Sequence, residues 1–303
     1  MKNEGISKEL ALLASQQYTT LFTALGYSPC PPADIFLSWV TQIKSNSLMT
    51  KATAIIVGAS SLLSREIAKQ LAEQGVELVL LAQEPESLQE FVDSLPTQAH
   101  LFPLVIASPQ KVITTLENIW EKIGGAHLVI VNTGLNSYDP QLPWLPEQDI
   151  ITVNVQGYAA ICNTAFKLFR DQGYGQLAAI NSIAGLRGGP NVAYHASKAF
   201  ASNYLDGLSM HAQRLKLPIT ITDIQLGLLD KAAMQQSRLW LSPPDEVASQ
   251  IIKAMQKAKR KVYVTKRWRL VAWLTKLLPE FVYNTRHWRT KEERLAAKAE
   301  GKK

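Results

Sequence analysis

The sequence contains few of the residues that build metal centres, disulfide frameworks or membrane spans. Its two cysteines, Cys30 and Cys162, form no CxxC motif, so we expect two reduced thiols. The five histidines show no paired ligand spacing, and no metal site is expected. No apolar run reaches the roughly 18 residues that a spanning helix needs, and the opening MKNEGISKEL lacks the features of a secretory signal. These absences predict a cytoplasmic protein.

Acidic residues are scarce at the C-terminal end of the chain. The whole chain of 303 residues has a net charge of +7, and the charge is unevenly placed. Residues 251–303 contain 16 Lys and Arg against 4 Asp and Glu, whereas residues 1–250 contain 16 against 21. A mildly acidic body with a strongly basic tail indicates that the tail has its own partner, such as an anionic surface.

Seven short apolar runs alternate with helix-length segments in the middle of the chain. The runs are apolar at successive positions, which is typical of strands covered on both faces. Between the first two runs, one helical face collects Ile67, Ala68, Leu71 and Ala72. The alternation predicts an α/β fold, a doubly wound parallel seven-stranded sheet that binds ligands beyond the carboxyl ends of its strands. The predicted strands are TAIIVG (53–58), ELVLLA (77–82), HLFPLVI (100–106), HLVIVN (127–132), QLAAIN (176–181), ITITDIQ (219–225) and KVYVT (261–265).

Two end segments do not follow this alternation. Residues 1–50 carry apolar residues at helical spacing on both sides of GYSPCPPAD, which predicts a helical hairpin added to the core. This N-terminal extension either packs on the body or on a partner subunit, or has a specific role such as covering a substrate opening. We therefore expect three parts: the extension 1–50, the α/β domain 51–265 and a basic amphipathic tail 266–303.

A tyrosine and a lysine are spaced for joint chemistry in YHASK. Tyr194 and Lys198 lie four residues apart, which on a helix places them about one turn apart on one face. The ammonium favours the phenolate, so we expect the pKa of Tyr194 to lie below its reference of about 10 and to suit proton exchange with a carbonyl or alcohol. INSIAG places Ser182 just after the fifth strand, NTG (132–134) ends the fourth strand at the same edge, and ITVNVQG puts Asn154 in the following helix.

These motifs, over about residues 51–265, resemble those of the short-chain dehydrogenase/reductase family, a family of single-domain, Rossmann-like enzymes. The resemblance implies a catalytic tetrad of Asn154, Ser182, Tyr194 and Lys198. Tyr194 would be the general acid in reduction and the general base in oxidation, and Lys198 would lower its pKa and bind the nicotinamide ribose. Ser182 would hold the substrate oxygen, while Asn154 would interrupt its helix and hold a water that passes protons to Lys198. The hydride chemistry would belong to the cofactor.

The phosphate-binding turn of that family, TGxxxGxG, reads VGASSLLS here. Gly58 is present, but Leu62 and Ser64 replace the other two glycines. Leu62 is the more serious change, because its side chain must point away from the phosphates and its φ must be negative. The helix N-terminus still offers N–H groups, and Ser60 and Ser61 can add hydroxyl donors. We expect cofactor binding to be retained.

Other nucleotide contacts of the family also differ in this chain. Ala82 stands where an acid would mark NAD, and Gln83 stands where an arginine would meet the 2′-phosphate of NADP, so the sequence favours NADP(H) only slightly over NAD(H). Val105 replaces an aspartate at the adenine contact, and Leu226 replaces a proline after the sixth strand. The resemblance implies cofactor contacts from Gly58, Ser60, Ser61, Leu62, Gln83, Asn132, Gly134, Tyr194, Lys198, Gly227 and Leu229.

The stretch 244–288 resembles the end of a bacterial subgroup of the family with an apolar, basic C-terminal extension that acts on aldehydes or lipophilic carbonyls. Nine apolar residues between Trp268 and Val282 are interleaved with Lys and Arg, which predicts an amphipathic helix. This helix either packs on the body or on a sister subunit, or lies in a membrane interface through 266–288. No nucleic-acid partner is expected.

The resemblance as a whole predicts an NAD(P)(H)-dependent oxidoreductase. It would reduce an aldehyde or ketone, or oxidise an alcohol, on a lipophilic small molecule, and it would form homo-oligomers. The altered nucleotide motif leaves a second hypothesis open. In that hypothesis the chain is a catalytically weak or inactive scaffold or cofactor sensor, with recruitment to a membrane as a further option.

Overall fold

A computed structural model describes residues 52–227, 243–279 and 282. Its strands form one sheet in the order β3-β2-β1-β4-β5-β6-β7, and every neighbouring pair is parallel. This confirms the predicted seven-stranded, doubly wound α/β fold. The strands are β1 (Thr53–Val57), β2 (Glu77–Ala82), β3 (Ala99–Pro103), β4 (Leu128–Val131), β5 (Gly175–Ser182), β6 (Ile219–Leu226) and β7 (Lys261–Val264).

Helices connect the strands and cover both faces of the sheet. A π-helical segment, Thr152–Gly157, joins α4 to α5, and two short 3-10 turns cover Pro85–Leu88 and Ile183–Leu186. The helices are α1 (Leu62–Glu73), α2 (Gln89–Asp93), α3 (Pro109–Ile123), α4 (Trp144–Ile151), α5 (Tyr158–Gln172), α6 (Val192–Arg214), α7 (Pro244–Gln256) and α8 (Lys266–Leu277).

Two apolar cores lie on opposite faces of the sheet, and β1 contributes to both. Ala54 and Ile56 pack with α1 and α7 on one face, whereas Ile55 and Val57 pack with α3, α5 and α6 on the other. Each fully buried large aliphatic side chain contributes about 1.5–3 kcal/mol to stability. Because successive residues face different cores, β1 is apolar at every position from Ala54 to Val57 rather than at every second one.

Helix α1 forms where the apolar spacing predicts it. The four predicted core residues, Ile67 to Ala72 at helical spacing, are all buried. The side-chain oxygen of Ser61 caps the helix by accepting the N–H of Ser64 at 3.0 Å. The cap sets the first turn of α1 directly after the end of β1.

Strand β3 is shorter and more exposed than predicted. The strand ends at Pro103, whereas the sequence predicted a strand through 106, and its residues are half-buried or exposed. β3 is an edge strand, where proline is tolerated because no outer neighbour needs its missing N–H. β3 is therefore covered by a neighbouring strand on one edge only.

Three predicted features fall wholly or partly outside the described residues: the extension 1–50, Leu229 in the loop after β6, and most of the tail beyond 279. Among the helices that are described, none combines the length and the apolar character needed to cross a bilayer.

The strand order reverses between β1 and β4. In open α/β sheets the crevice at such a reversal, outside the carboxyl ends of the strands, is where ligands bind. Gly58 follows β1 and Asn132 follows β4, so the altered glycine turn lies at this crevice.

Candidate active site

Three chain segments bring the four predicted catalytic residues to the carboxyl edge of the sheet. Ser182 is the last residue of β5, Asn154 lies in the π-helical segment, and Tyr194 and Lys198 lie one turn apart in α6. The side chain of Lys198 is buried, and its Nζ lies 5.7 Å from the centroid of the Tyr194 ring. The phenol and the amine are therefore neighbours, as the helical spacing predicts.

The Asn154 side chain ties its helix to the loop that follows β4. Its Oδ1 accepts the Leu135 N–H at 2.7 Å, and its Nδ2 donates to the Leu135 carbonyl at 2.8 Å. The same Nδ2 donates to the Ser197 hydroxyl at 3.1 Å, and Ser197 donates in turn to the Tyr194 carbonyl at 2.8 Å. The widened π turns around Asn154 interrupt the helix between α4 and α5, and π turns of this kind occur frequently at functional sites.

Gly134 allows the loop after β4 to pass beside these side chains. A Cβ atom at this position would lie 3.2 Å from both the Asn154 Oδ1 and the Lys198 Nζ. The Gly134 φ of +155° is also one that other residues rarely adopt. Glycine therefore suits this backbone conformation, and a larger residue would also press on the Asn154 and Lys198 side chains.

Burial sets the protonation of Tyr194 and Lys198. Loss of solvent raises the pKa of Tyr194, although the hydrogen bond with the Ser182 side chain acts in the opposite direction. The prediction that Lys198 brings this pKa below its usual value is wrong for this structure, because desolvation of the phenolate dominates. Burial lowers the pKa of Lys198 to about 8, and the charge of Asp223 opposes that shift. Near pH 7 the site presents a neutral phenol, the form that can donate a proton.

The glycine turn keeps its first glycine for a steric reason. Gly58 has a φ of +83°, and a Cβ there would lie 2.0 Å from the Asn132 carbonyl oxygen. The Asn132 Nδ2 donates to the hydroxyls of Ser61 at 2.7 Å and Ser64 at 2.8 Å. The buried Ser64 thus occupies the close-packed third position of the turn with its hydroxyl hydrogen-bonded.

Comparison with known proteins decides the family. The family model for short chain dehydrogenases matches residues 52–241. This chain belongs to the short-chain dehydrogenase family. The matched residues include strands β1 to β6, the crevice and the four predicted catalytic residues. Strand β7 lies beyond them.

Relatives of this short-chain dehydrogenase include an uncharacterized oxidoreductase from Myxococcus xanthus. It is 32% identical over 178 residues, which are 57% of this chain and 70% of the relative. Carbonyl reductase family member 4 from Danio rerio is 26% identical over 66% of this chain and 89% of its own length. A crystal structure of a short-chain dehydrogenase from Streptomyces avermitilis aligns with a TM-score of 0.66 at 17% identity, covering 82% of this chain and 99% of that one. The relatives support an oxidoreductase, and the structure supports the fold.

The crevice of this short-chain dehydrogenase suits a nicotinamide dinucleotide in part. The N–H groups of Leu62 and Leu63 begin α1 and precede its first i to i−4 bond, as an anion site at a helix N-terminus requires. Leu62 meets the backbone condition set for it, because its φ is not positive, and the residue is 59% exposed beside the crevice. The hydroxyl of Ser61 donates to Ser64 and caps the helix, so of the two predicted hydroxyl donors only Ser60 lies exposed without such a task.

The remaining predicted cofactor residues differ in their exposure. Ala82 is buried at the end of β2 and Gln83 is exposed directly after it, whereas Gly134 is exposed and Asn132 is half-buried. Gly227 is buried, because the indole ring of Trp268 lies where a Cβ of residue 227 would be, 2.1 Å from its nearest atoms. Gly227 therefore serves the packing of α8 on the end of β6.

Two polar residues of the site were missed by sequence reasoning. Asn181 accepts the Ser182 N–H at 2.9 Å and donates to the Lys198 carbonyl at 3.3 Å, so it joins two catalytic segments. Asp223 lies fully buried in β6 behind Lys198. A signal existed for Asp223: an acid in the middle of an apolar strand is rare unless it is paired.

Proposed function

We propose that this chain is a nicotinamide-dependent oxidoreductase that reduces an aldehyde or ketone, or oxidises the corresponding alcohol, on a lipophilic small molecule. The assembly of Asn154, Ser182, Tyr194 and Lys198 at one edge of the sheet carries the proposal. A bound nicotinamide would supply or accept the hydride. The chain's own residues would hold the reacting oxygen and move the proton.

The roles follow from the contacts of each side chain. Ser182, hydrogen-bonded to Tyr194, would bind the substrate oxygen beside the phenol. Tyr194, neutral near pH 7, would donate its proton to that oxygen in reduction. Lys198, with a pKa of about 8, remains mostly protonated at neutral pH and would stabilise the negative charge left on the phenol. Asn154, whose side chain is held by Leu135 and Ser197, would hold the water through which Lys198 would be reprotonated.

The cofactor is proposed to be NADP(H) in preference to NAD(H). Buried Ala82 ends β2 at the position where an acid would repel a 2′-phosphate, and exposed Gln83 follows it; the nearest acid along the chain is the exposed Glu84. The test is a panel of aldehydes and ketones assayed with NADPH and with NADH, followed at the nicotinamide absorbance. We expect turnover with apolar carbonyls and higher kcat/KM with NADPH. Higher kcat/KM with NADH would contradict the cofactor choice, and no turnover with either would contradict the oxidoreductase.

A second candidate, an inactive scaffold or cofactor sensor, is favoured by the substitutions Leu62, Val105 and Leu226 at family nucleotide contacts. Titration with NADPH and NADH, followed by tryptophan quenching, distinguishes the oxidoreductase, the sensor and the scaffold when it is combined with the turnover assay. Binding with turnover supports the oxidoreductase, binding without turnover supports a sensor, and absence of binding supports a scaffold.

We also propose peripheral contact of α8 with an anionic membrane. Its exposed apolar residues, Leu270, Trp273, Leu274 and Leu277, fall in an arc of about 100° at helical spacing. Arg269 and Lys276 border one side of this arc and Arg267 borders the other, and α8 contains no acid. An apolar stripe between cations is the pattern of helices that lie in a membrane interface.

The opposite face of α8 packs on the body. Ala272 is buried, and the Trp268 ring covers Gly227. Trp268 is therefore a packing residue and not part of the exposed stripe. The Arg187 guanidinium, just after the 3-10 turn that follows Ser182, donates to the carbonyls of Lys276 and Leu278 and holds the end of α8 near the active site. A membrane-dissolved substrate would thus leave the bilayer close to Ser182.

Flotation with vesicles of phosphatidylcholine and phosphatidylserine tests this contact. Substitutions are preferable to truncation of α8, because truncation would uncover Gly227. We expect Trp273→Gln and Leu277→Gln to abolish salt-sensitive flotation, whereas Trp144→Gln, an exposed tryptophan on α4, leaves it unchanged. Flotation that persists in both α8 variants, or no flotation of the native chain, would contradict the proposal.

A further inference from the structure

A buried polar cluster lies behind Lys198, on the side away from the crevice. At its centre, Asp223 of β6 has no solvent exposure. Its Oδ2 accepts the Ser202 hydroxyl at 2.6 Å, and the Gln225 Nε2 lies 2.8 Å from both carboxylate oxygens. The Lys261 Nζ of β7 lies 3.2 Å from Oδ2. The carboxylate is therefore fully engaged with hydrogen-bond donors and one cation, as a buried charge requires.

The cluster reaches the catalytic helix at two successive turns. The Asn181 Nδ2 lies 3.3 Å from the Lys198 carbonyl and 3.4 Å from the Asp223 Oδ1, so one amide contacts both. Ser202 follows Lys198 by four residues on α6 and is therefore on the same face of the helix. Asn181 also accepts the Ser182 N–H. The same carboxylate thus holds the Lys198 turn of α6 and the Ser182 end of β5 together.

We propose that Asp223 is a positioning residue of the reaction: through Asn181 and Ser202 it holds the turn that carries Lys198 against the end of β5. This inference rests on the proposed function only in giving Lys198 a catalytic role. Asp223 itself would touch neither substrate nor cofactor.

The charged groups around Lys198 support this role. Burial alone disfavours the ammonium, and the charge of Asp223 counteracts it, so the pKa of Lys198 remains at about 8. Among the described residues, Tyr194 on the same helix is a further titratable neighbour of Lys198. The neighbouring loop and π-helical segment present the uncharged Gly134 and Asn154. Within the part of the chain that the structure describes, Asp223 is thus an acid whose charge favours the protonated form of Lys198.

Lys261 partly offsets the field of Asp223. Its Nζ contacts Asp223 and lies 3.7 Å from the half-exposed Asp206 of α6, which also pairs with Arg260. Removing Lys261 would remove a positive charge from the far side of Asp223. Variants at Asp223 and Lys261 should therefore move the protonation of Lys198 in opposite directions.

The experiment measures the pKa of Lys198 directly, by carbon NMR of the full chain labelled with ε-¹³C lysine. The Lys198 signal is assigned by its loss in Lys198→Arg. We expect Asp223→Asn to lower this pKa by about one unit, the scale of a nearby opposite charge. We expect Lys261→Gln to raise it. Asp206→Asn, an acid-to-amide change at the surface end of the cluster, should leave it unchanged.

The pH dependence of kcat/KM provides a second test. Reduction requires protonated Lys198, so the fall of kcat/KM at high pH should begin at lower pH in Asp223→Asn and at higher pH in Lys261→Gln. General damage to folding would not produce opposite shifts. Lys261 is partly exposed, so its variant keeps the proposal testable even where Asp223→Asn folds poorly.

Different results would contradict the role of Asp223 and the proposed oxidoreductase function. An unchanged pKa of Lys198 in both variants, or shifts in the same direction, would overturn the role of Asp223 even in an active enzyme. Opposite shifts without turnover of any carbonyl would support the role of Asp223 on Lys198 and contradict the proposed function.

Discussion

Gly58 lies so close to Asn132 that a Cβ atom at position 58 would fall 2.0 Å from the Asn132 carbonyl oxygen. The contact joins the end of β1 to the end of β4 at the point where the strand order reverses. The φ of Gly58 is +83°, a left-handed conformation that is a second reason for glycine at this position. The first glycine of the turn is thus required by the fold itself, whether or not a dinucleotide binds.

Replacing this glycine should damage both stability and nucleotide binding. We expect Gly58→Ala to lower the free energy of unfolding by at least about 2 kcal/mol, from backbone strain and the clash with Asn132. Urea denaturation and NADPH titration measure the two effects. Gly207→Ala is the control, because Gly207 lies in α6 with no atom within 4 Å of the added Cβ. That change should raise stability by about 0.5–1 kcal/mol. Equal stability of both variants would contradict the argument.

Restoring the family glycine at position 64 should be destabilising. Ser64→Gly removes the hydroxyl that accepts from Asn132 and Ser61 and places glycine in the first turns of α1. We expect a loss of about 1–2 kcal/mol in the free energy of unfolding. Ser64→Ala separates the two causes, because it removes only the hydroxyl. A Ser64→Gly chain more stable than the native one would show that the hydrogen bonds contribute nothing.

The lowered pKa of Lys198 predicts a pH-dependent stability. Its value falls from an ordinary 10.5 to about 8 on folding, so the unfolded chain binds more protons between these values, and native stability rises with pH across this window. Below pH 8 the buried ammonium is a cost, which Lys198→Met removes. We expect that variant to be more stable at pH 7, by on the order of 3 kcal/mol, with the advantage shrinking as pH rises from 8 to 10.5.

Denaturation at several pH values tests this prediction. The exposed Lys253 of α7 provides the control, and Lys253→Met should change stability by less than about 0.5 kcal/mol at every pH. An advantage of Lys198→Met that stays constant with pH would show that Lys198 does not lose its proton on folding in this range.

The fold was predictable because its strands follow a local rule. A run that faces two cores is mostly apolar, and all seven predicted runs form parallel strands. β3 is shorter than predicted because it lies at the edge of the sheet. Which strand lies at the edge depends on the order of all the strands, so the local sequence of β3 does not show it. The interruption of the helix at Asn154 was predicted only from the resemblance to the family, because no local pattern of residues indicates it.

The candidate site was only partly predictable. Spacing places Tyr194 and Lys198 on one face, but it does not show how much solvent they lose, so the direction of the Tyr194 pKa shift was predicted wrongly. The contacts of Asp223 depend on the register of β6 against β5 and β7 and on the rotation of α6. Trp268 was grouped with eight other apolar residues of the tail, and the spacing did not show that it is the one packed against Gly227.

Proton donation by Tyr194 in a carbonyl reduction requires its hydroxyl, which Tyr194→Phe removes. The assay is steady-state reduction of the best aldehyde or ketone, with NADPH affinity measured in parallel and Tyr174→Phe as the control, because Tyr174 lies at the amino end of β5, far from the crevice. We expect Tyr194→Phe to lose about 10²–10⁴-fold in kcat with NADPH affinity unchanged, while Tyr174→Phe keeps native turnover. Native turnover in Tyr194→Phe would show that the Tyr194 hydroxyl is not the proton donor.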